Sequence, residues 1–177
     1  MKGKVLFTCV GSSDPVRGLR DGSMLHIIRH YLPKKVYIVL TKEMEDLHQK
    51  DNRYNKAINK FKQDFHHEIE TVLLRCGIED VSDFDAFDKY FQEELSLIIL
   101  ENPNDEVLLN VSSGSPQMKI TMCLLATNIR YRNTTVVQVK TPDKRSNTSD
   151  TASHKTYDVD TEIELNEDNY PGTENRC

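Results

Sequence analysis

Two short stretches of the chain are rich in hydroxyl, amide and glycine residues, and each directly follows an apolar run. The first is CVGSSDPVRGLRDG, residues 9–22, and the second is NVSSGSPQMK, residues 110–119. Hydroxyls, side-chain amides and exposed backbone amides suit the recognition of phosphate and ribose oxygens. We therefore expect an anionic, nucleotide-like ligand where these two loops meet.

The second loop contains the predicted start of a helix. Ser115 precedes Pro116, an order that favours serine as N-cap and proline as the first helical residue. The partial positive charge of such a helix end favours an anion by roughly 0.3 to 1 kcal/mol. Gly114 allows close backbone approach, and Gln117 can contact a base edge or a ribose. The helix that follows, up to Ile129, is apolar nearly all round, so we expect it to be buried against a sheet.

The loops need a framework that positions them, and the sequence predicts a parallel sheet. Short runs that are apolar on both faces and rich in β-branched residues indicate central strands. These runs are Val5–Val10, Val36–Leu40, Val107–Val111 and Thr135–Val139. Helical patterns lie between them, so we predict an α/β, Rossmann-like, mostly parallel sheet with helices on both faces. Ligands bind such sheets at the carboxyl ends of the strands, where both loops are expected.

Two helices are predicted between the second and third of these strands. Apolar residues recur at spacings of three and four from Tyr54 to Leu73, and Gly77 follows as a C-terminal stop. A second apolar series from Phe87 to Ile99 marks the other helix. The segment 79–84 between them could supply one more edge strand.

The carboxyl-terminal part of the chain changes character. Residues 155–165 alternate between apolar and acidic side chains, which predicts a half-exposed, antiparallel edge strand. A polar loop, residues 141–154, precedes it. Residues 166–177 are polar and are interpreted as a truncated linker, so residues 1–165 form the predicted domain. An ordinary frayed terminus is the alternative.

Charge is distributed unevenly along the chain. The net charge of −5 combines basic segments 1–42 and 106–145, at +6 and +4, with acidic segments 43–105 and 146–177, at −9 and −6. Bulk attraction to DNA or to a membrane is therefore not expected, whereas the basic segments could converge on one anionic ligand. Uneven surface solvation is the alternative. There is no apolar run of about 18 residues and no signal-peptide pattern, which predicts a cytoplasmic protein.

Several familiar motifs are absent from the sequence. Neither GxGxxG nor GxxxxGK[ST] occurs, so no dinucleotide or nucleoside triphosphate fingerprint is present. The pair His26 and His30 lacks the glutamate of HExxH, and we expect neither a metal nor another cofactor. Ser113 with Asp14 and a histidine could form a hydrolase triad, but the loop is not GxSxG.

Taken together, "FTCVGSSDPVRGLRDG" and "NVSSGSPQMK" resemble the two signature loops of the CARF domain, the CRISPR-associated Rossmann fold. The resemblance covers residues 1 to about 165. It is strongest to the sensor half of the type III-A CRISPR ancillary ribonucleases of the CARF–HEPN family. It implies a homodimer whose facing loops bind a cyclic oligoadenylate, usually cyclic hexa-adenylate. Binding would activate a HEPN nuclease domain, absent from this chain, that cuts single-stranded RNA.

The resemblance also implies a slow, metal-independent ring nuclease. A ribose 2′-hydroxyl would attack the adjacent phosphate in line, leaving a 2′,3′-cyclic phosphate. The residues expected to be catalytic are Asp14, Ser115 and Gln117. The residues expected to bind the ligand are Thr8, Gly11, Ser12, Ser13, Asp14, Arg17, Arg20, Ser112, Ser113, Gly114, Ser115, Gln117, Met118 and Lys119. The alternatives are a small Rossmann-like serine hydrolase or transferase, and a non-catalytic dimerisation module.

Overall fold

A twisted, mostly parallel sheet forms the centre of the molecule. The computed structural model describes residues 2–17, 20–139 and 163–164, with the backbone alone for Arg17, Arg20 and residues 163–164. The strands are β1 (Lys4–Cys9), β2 (Val16–Arg17), β3 (Arg20–Asp21), β4 (Lys35–Leu40), β5 (Glu70–Arg75), β6 (Glu106–Asn110), β7 (Thr134–Val139) and β8 (Ile163–Glu164). The main sheet has the order β5-β4-β1-β6-β7-β8, and β2 and β3 form a separate antiparallel ribbon.

Helices cover both faces of the sheet, as predicted. They are α1 (Ser23–Tyr31), α2 (Lys42–Asp51), α3 (Arg53–Phe65), α4 (Phe84–Glu101) and α5 (Pro116–Ala126), followed by a 3-10 turn at Ile129–Tyr131. Leu6 packs with α1 and α3 in one core cluster, whereas its neighbour Phe7 packs with α4 and α5 in the other. Because successive side chains of a strand point to opposite faces, β1 contributes to both cores.

The strand order places the two loops side by side. The chain runs from β1 to β4 and β5 on one side, then returns to β6 and β7 on the other. β1 therefore pairs with both β4 and β6, in parallel, and Thr8 lies opposite Asn110 at the end of these strands. The reversal between β1 and β6 creates the crevice in which open α/β sheets bind ligands.

The predicted helix from Tyr54 to Leu73 was wrong in its last part. α3 ends at Phe65, His66 adopts a left-handed conformation with φ 50°, and residues 70–75 form β5, parallel to β4. Val72 and Leu74 pack into one core and Leu73 into the other. The apolar spacing of this segment fits a helix. As a strand, however, its backbone forms hydrogen bonds with β4, and its side chains pack into the core clusters on both faces of the sheet. The edge strand assigned to residues 79–84 was also wrong, since this segment is a turn that leads into α4.

The helix after the second loop is not buried all round, contrary to expectation. Its inner side packs against the sheet and α4, with Met118, Thr121, Met122 and Leu125 buried. Ile120 and Leu124 remain 52% and 54% exposed. They form an apolar stripe with the exposed Pro116 at the helix start, because residues four apart share one helix face. No described residue covers this stripe.

The predicted carboxyl-terminal strand is described only at Ile163–Glu164. It pairs with β7 in antiparallel orientation, as expected. The remainder of the predicted strand, the polar loop 141–154 and the linker 166–177 lie outside the described residues. Among the helices that are described, none combines the length and the apolar character needed to cross a membrane.

Candidate functional site

The first loop folds as a tight turn followed by the β2–β3 ribbon. The Asp14 amide donates to the Gly11 carbonyl, and the Asp14–Pro15 peptide bond is cis. Gly22 returns the chain against this turn, where an added Cβ would lie 2.5 Å from Asp14 Oδ1 and 2.6 Å from the Ser13 carbonyl oxygen. A side chain at residue 22 would therefore open the loop.

Asp14 lies on the buried side of the first loop and connects it to the second loop. Its carboxylate is 2% exposed and accepts hydrogen bonds from the Met24 amide at 3.2 Å and the Gly11 amide at 3.3 Å. It also accepts a short hydrogen bond from the Ser113 hydroxyl of the second loop. Burial raises the pKa of Asp14, while the hydrogen bonds from Ser113, Met24 and Gly11 oppose this shift.

The second loop ends in the N-terminus of α5, as predicted. Ser115 is the N-cap: its hydroxyl accepts from the Met118 amide at 3.3 Å, and Pro116 is the first helical residue. Proline has no amide hydrogen, so the first amide of α5 is that of Gln117, and amides in the first turn of a helix have no intrahelical acceptor. Gly114 has φ 91°, and an added Cβ would lie 2.8 Å from Met118 Sδ. The loop therefore depends on glycine at residue 114.

The structure divides the predicted site residues into a supporting layer and an outer layer. Buried below the loops are Thr8, Asp14, Ser113 and Met118. At least partly exposed on the loops are Gly11, Ser12, Ser13, Ser112, Gly114, Ser115, Gln117 and Lys119. Arg17 and Arg20 lie in the ribbon, and their side chains are not described. The outer layer contains the candidates for ligand contact, whereas the buried residues hold it in place.

The three residues expected to be catalytic differ in their environment. The Asp14 carboxylate and the Ser115 hydroxyl are both engaged by groups of the chain itself. The half-buried side chain of Gln117 has no hydrogen-bond partner among the described residues. This geometry favours positioning roles for Asp14 and Ser115 and leaves Gln117 available to a ligand.

Sequence reasoning missed Asn110, which is 0% exposed at the end of β6. Its side-chain amide donates to the hydroxyls of Thr8 and Ser23 and accepts from the Ser112 amide. The signal in the sequence was a polar residue that directly follows the apolar run VLL of the strand EVLLN. Buried polar side chains at such a position are retained when they are hydrogen-bonded.

The described residues of this crevice give less support to a metal site or to a serine hydrolase. Within the described residues, no group of three or more His, Cys, Asp and Glu side chains is arranged to hold a metal ion. The hydrogen bond of the Ser113 hydroxyl goes to Asp14. A hydrolase triad would instead require a histidine between the serine and the carboxylate.

Comparison with known proteins identifies the family. The profile of the Cas_Csm6 CARF domain matches residues 68–177, which is more than half of the chain. The chain belongs to the Csm6 CARF domain family. The CARF assignment made from the two loops is therefore confirmed, and the Rossmann-like α/β sheet is the fold of this family.

Individual relatives agree with the CARF assignment. The CRISPR system endoribonuclease Csm6 of Mycobacterium tuberculosis is 37% identical over 175 residues, which covers 98% of this chain and 41% of that protein. Csm6 of Streptococcus thermophilus is 34% identical over 169 residues, 94% of this chain and 37% of the relative. The chain thus spans about two fifths of the length of these curated relatives.

One solved structure shares the CARF fold closely. Enterococcus italicus Csm6 bound to cyclic hexa-2′-fluoro-hexa-dAMP superposes with a TM-score of 0.69 at 36% identity. The match covers 80% of this chain and 35% of that protein. The ligand in that structure is a ring of six adenine nucleotides.

Proposed function

We propose that this CARF domain is a sensor that binds a cyclic oligoadenylate, specifically cyclic hexa-adenylate, as a homodimer in the cytoplasm. The longer protein would be an endoribonuclease whose HEPN domain cuts single-stranded RNA once the ring is bound. The domain would also cleave its activator slowly. The relatives named as endoribonucleases support the nuclease activity proposed for the longer protein. The ring-bound Enterococcus relative supports the choice of ligand.

The observation that carries the proposal is the convergence of two hydroxyl-rich and amide-rich loops over the β1–β6 crevice. Asp14 and Ser113 join the loops, and α5 begins directly after the second loop, so its first amide, that of Gln117, lies close to this junction. Phosphate groups are bound well at such helix ends, because the amides and the helix dipole both favour negative charge. A ring with one negative charge per phosphate matches this surface better than a neutral ligand.

The apolar stripe of α5 supports the homodimer. The stripe begins at the end of α5 that borders the crevice. It extends away from the crevice along one exposed face of the helix, through Pro116, Ile120 and Leu124. In a two-fold dimer the same patch contacts itself. Packing two copies through this stripe would bring two α5 N-termini, and two pairs of loops, onto one ring.

Ring cleavage would rely on positioning. The 2′-hydroxyl of one ribose gives up its proton to water as its oxygen bonds to the adjacent phosphorus. The bond from phosphorus to the 5′-oxygen breaks, and the departing 5′-oxygen takes up a proton from water. The products are a 2′,3′-cyclic phosphate and a 5′-hydroxyl. The Gln117 amides can stabilise the charge that develops on the phosphoryl oxygens. Asp14 and Ser115 would act by holding the loop and the helix end in place.

The test is calorimetric titration of the chain with cyclic hexa-adenylate, with cyclic tetra-adenylate and linear hexa-adenylate as controls. We expect one six-membered ring per two chains and weaker binding of both controls. Mass spectrometry then follows the cleavage products in the wild type, in Gln117→Ala and in Gln63→Ala, an exposed glutamine on α3. Absence of heat with every ring would refute the sensor function, and equal cleavage by both variants would refute the role of Gln117.

A further inference from the structure

The side chain of Asn110 uses both its donor and its acceptor groups inside the protein. Its Nδ2 donates to Thr8 Oγ1 at 2.9 Å and to Ser23 Oγ at 3.1 Å, and its Oδ1 accepts from the Ser112 amide at 2.9 Å. An asparagine amide offers two N–H donors and one carbonyl oxygen, so this set fills both donors. At 0% exposure, Asn110 itself cannot touch a ligand in the crevice.

The partners of Asn110 belong to separate parts of the fold. Thr8 is the penultimate residue of β1, Ser23 begins α1, and Ser112 lies in the second loop. The hydroxyl of Ser112 in turn accepts from the Val139 amide at the end of β7, at 2.6 Å. A continuous chain of hydrogen bonds therefore runs below the crevice from α1 to β7, with Asn110 at its centre.

A second connection runs parallel to the first. Ser113 donates to Asp14, and Asp14 accepts from the Met24 amide. Consecutive residues of the second loop are thus tied to consecutive residues at the start of α1: Ser112 through Asn110 to Ser23, and Ser113 through Asp14 to Met24. Two attachments fix both the position and the rotation of a loop, whereas one would leave it free to turn.

From this pairing we infer that Asn110 is a positioning residue that sets the second loop on α1 and thereby fixes the width of the ligand crevice. The inference rests on the proposed sensor function and deepens it. Asp14 already joins the loops, so the specific contribution of Asn110 is the orientation of the Ser112 backbone, on which the direction of the following loop amides depends. Ring affinity and the preference for ring size should therefore both depend on a residue that the ring does not reach.

The test uses Asn110→Leu, which keeps a similar volume but removes all three hydrogen bonds. Its matched control is Asn102→Leu. Asn102 is also a buried asparagine and donates to Tyr37 Oη and the Ile98 carbonyl, but it follows α4 and precedes β6, far from the carboxyl ends of the strands. Ser23→Ala removes a single partner of Asn110 at a half-buried residue, so it serves if the leucine variant does not fold.

Each variant is titrated with cyclic hexa-adenylate and cyclic tetra-adenylate at a temperature where circular dichroism shows it folded. We expect both leucine variants to unfold at lower temperature than the wild type. Of these two, only Asn110→Leu should weaken hexa-adenylate binding, by about tenfold or more, and reduce the preference for six over four. Ser23→Ala should weaken hexa-adenylate binding by about threefold. Equal losses in Asn110→Leu and Asn102→Leu, or unchanged affinity in Ser23→Ala and Asn110→Leu, would overturn the positioning role while leaving the sensor function intact. A wild type that binds no ring would refute the sensor function and, with it, this inference.

Discussion

The Ser113 hydroxyl donates a hydrogen bond to the buried carboxylate of Asp14, although the two residues are 99 positions apart in the chain. The bond joins the loop after β1 to the loop after β6. Because Asp14 also accepts from two backbone amides of its own region, its carboxylate holds several donors that would otherwise be buried without a partner. Replacing it should therefore disturb both loops at once.

Asp14→Asn should lower the free energy of unfolding by about 1–3 kcal/mol, because the new NH₂ group must face at least one N–H donor. Asp83→Asn is the control, since Asp83 caps α4 at an exposed position where asparagine is an equivalent cap. Urea unfolding monitored by circular dichroism measures both variants. Equal stability of Asp14→Asn and wild type would mean that the carboxylate contacts are dispensable.

The same pair predicts a pH dependence. Burial raises the pKa of Asp14 above its ordinary value of 3.8, so the folded state favours the protonated form more than the unfolded state does. The stability of the wild type relative to Asp14→Asn should be greatest below that value and should fall as the pH rises through the raised pKa. Unfolding measured from about pH 3 to about pH 7 tests this sign. A difference that grows with pH would contradict it.

Gly114→Ala should be more harmful than Gly77→Ala. Both glycines have positive φ, at 91° and 66°, but an added Cβ meets Met118 and Cys9 at residue 114 and open space at residue 77. Backbone strain alone costs about 1 kcal/mol, and the collision at residue 114 adds to it. Thermal unfolding should separate the variants, and only Gly114→Ala should weaken ring binding. Equal melting temperatures and equal ring affinities for the two variants would show that the close packing around Gly114 does not affect binding.

Ser115→Ala removes the N-cap of α5 and should cost about 1 kcal/mol of stability. Asp83 is the N-cap of α4, and its carboxylate accepts a hydrogen bond from the Ala86 amide at 2.9 Å. Asp83→Ala should therefore lower the free energy of unfolding by a similar amount. We expect cyclic hexa-adenylate titrations to show weaker binding for Ser115→Ala alone, because only α5 begins at the crevice. A parallel loss in Asp83→Ala would indicate that general stability, rather than the helix end, controls affinity.

The apolar stripe on α5 can be tested by introducing charge. Ile120→Asp and Leu124→Asp should shift the chain from dimer to monomer in sedimentation velocity, since burying an unpaired carboxylate in an apolar interface is unfavourable. Leu32→Asp is the control: Leu32 is exposed after α1, whose residues pack on the other face of the sheet. A dimer that persists in both stripe variants would place the interface elsewhere.

The sequence was sufficient to predict the central strands and the helix start at Ser115. β1, β4, β6 and β7 are apolar on both faces, a pattern that few other structures produce, and their ends lie within one residue of the predicted bounds. β5 was missed because Ile69, Val72 and Leu73 continue the helical spacing of α3. Only the partner strand β4 decides between the two conformations, and such pairing is not visible in a local pattern.

The site was predictable in its location but not in its internal organisation. Loop composition indicated that the two loops would lie together, and the hydrogen bond between Ser113 and Asp14 joins them. Loop composition could not indicate that Asp14 faces inward, or that Asn110 connects β1, α1 and the second loop. Those roles depend on hydrogen bonds between residues about a hundred positions apart, which arise only once the strand order is fixed.

The end of β7 is held from two sides. Ser112 binds the Val139 amide from the loop, and Ile163 of β8 pairs with Val139 from the outer edge of the sheet. A shift of Ser112 would therefore reach the outermost strand of the sheet through Val139. The short strand β8 and the second loop thus share Val139 as a neighbour, so a change of the loop at Ser112 should also alter the outer edge of the sheet.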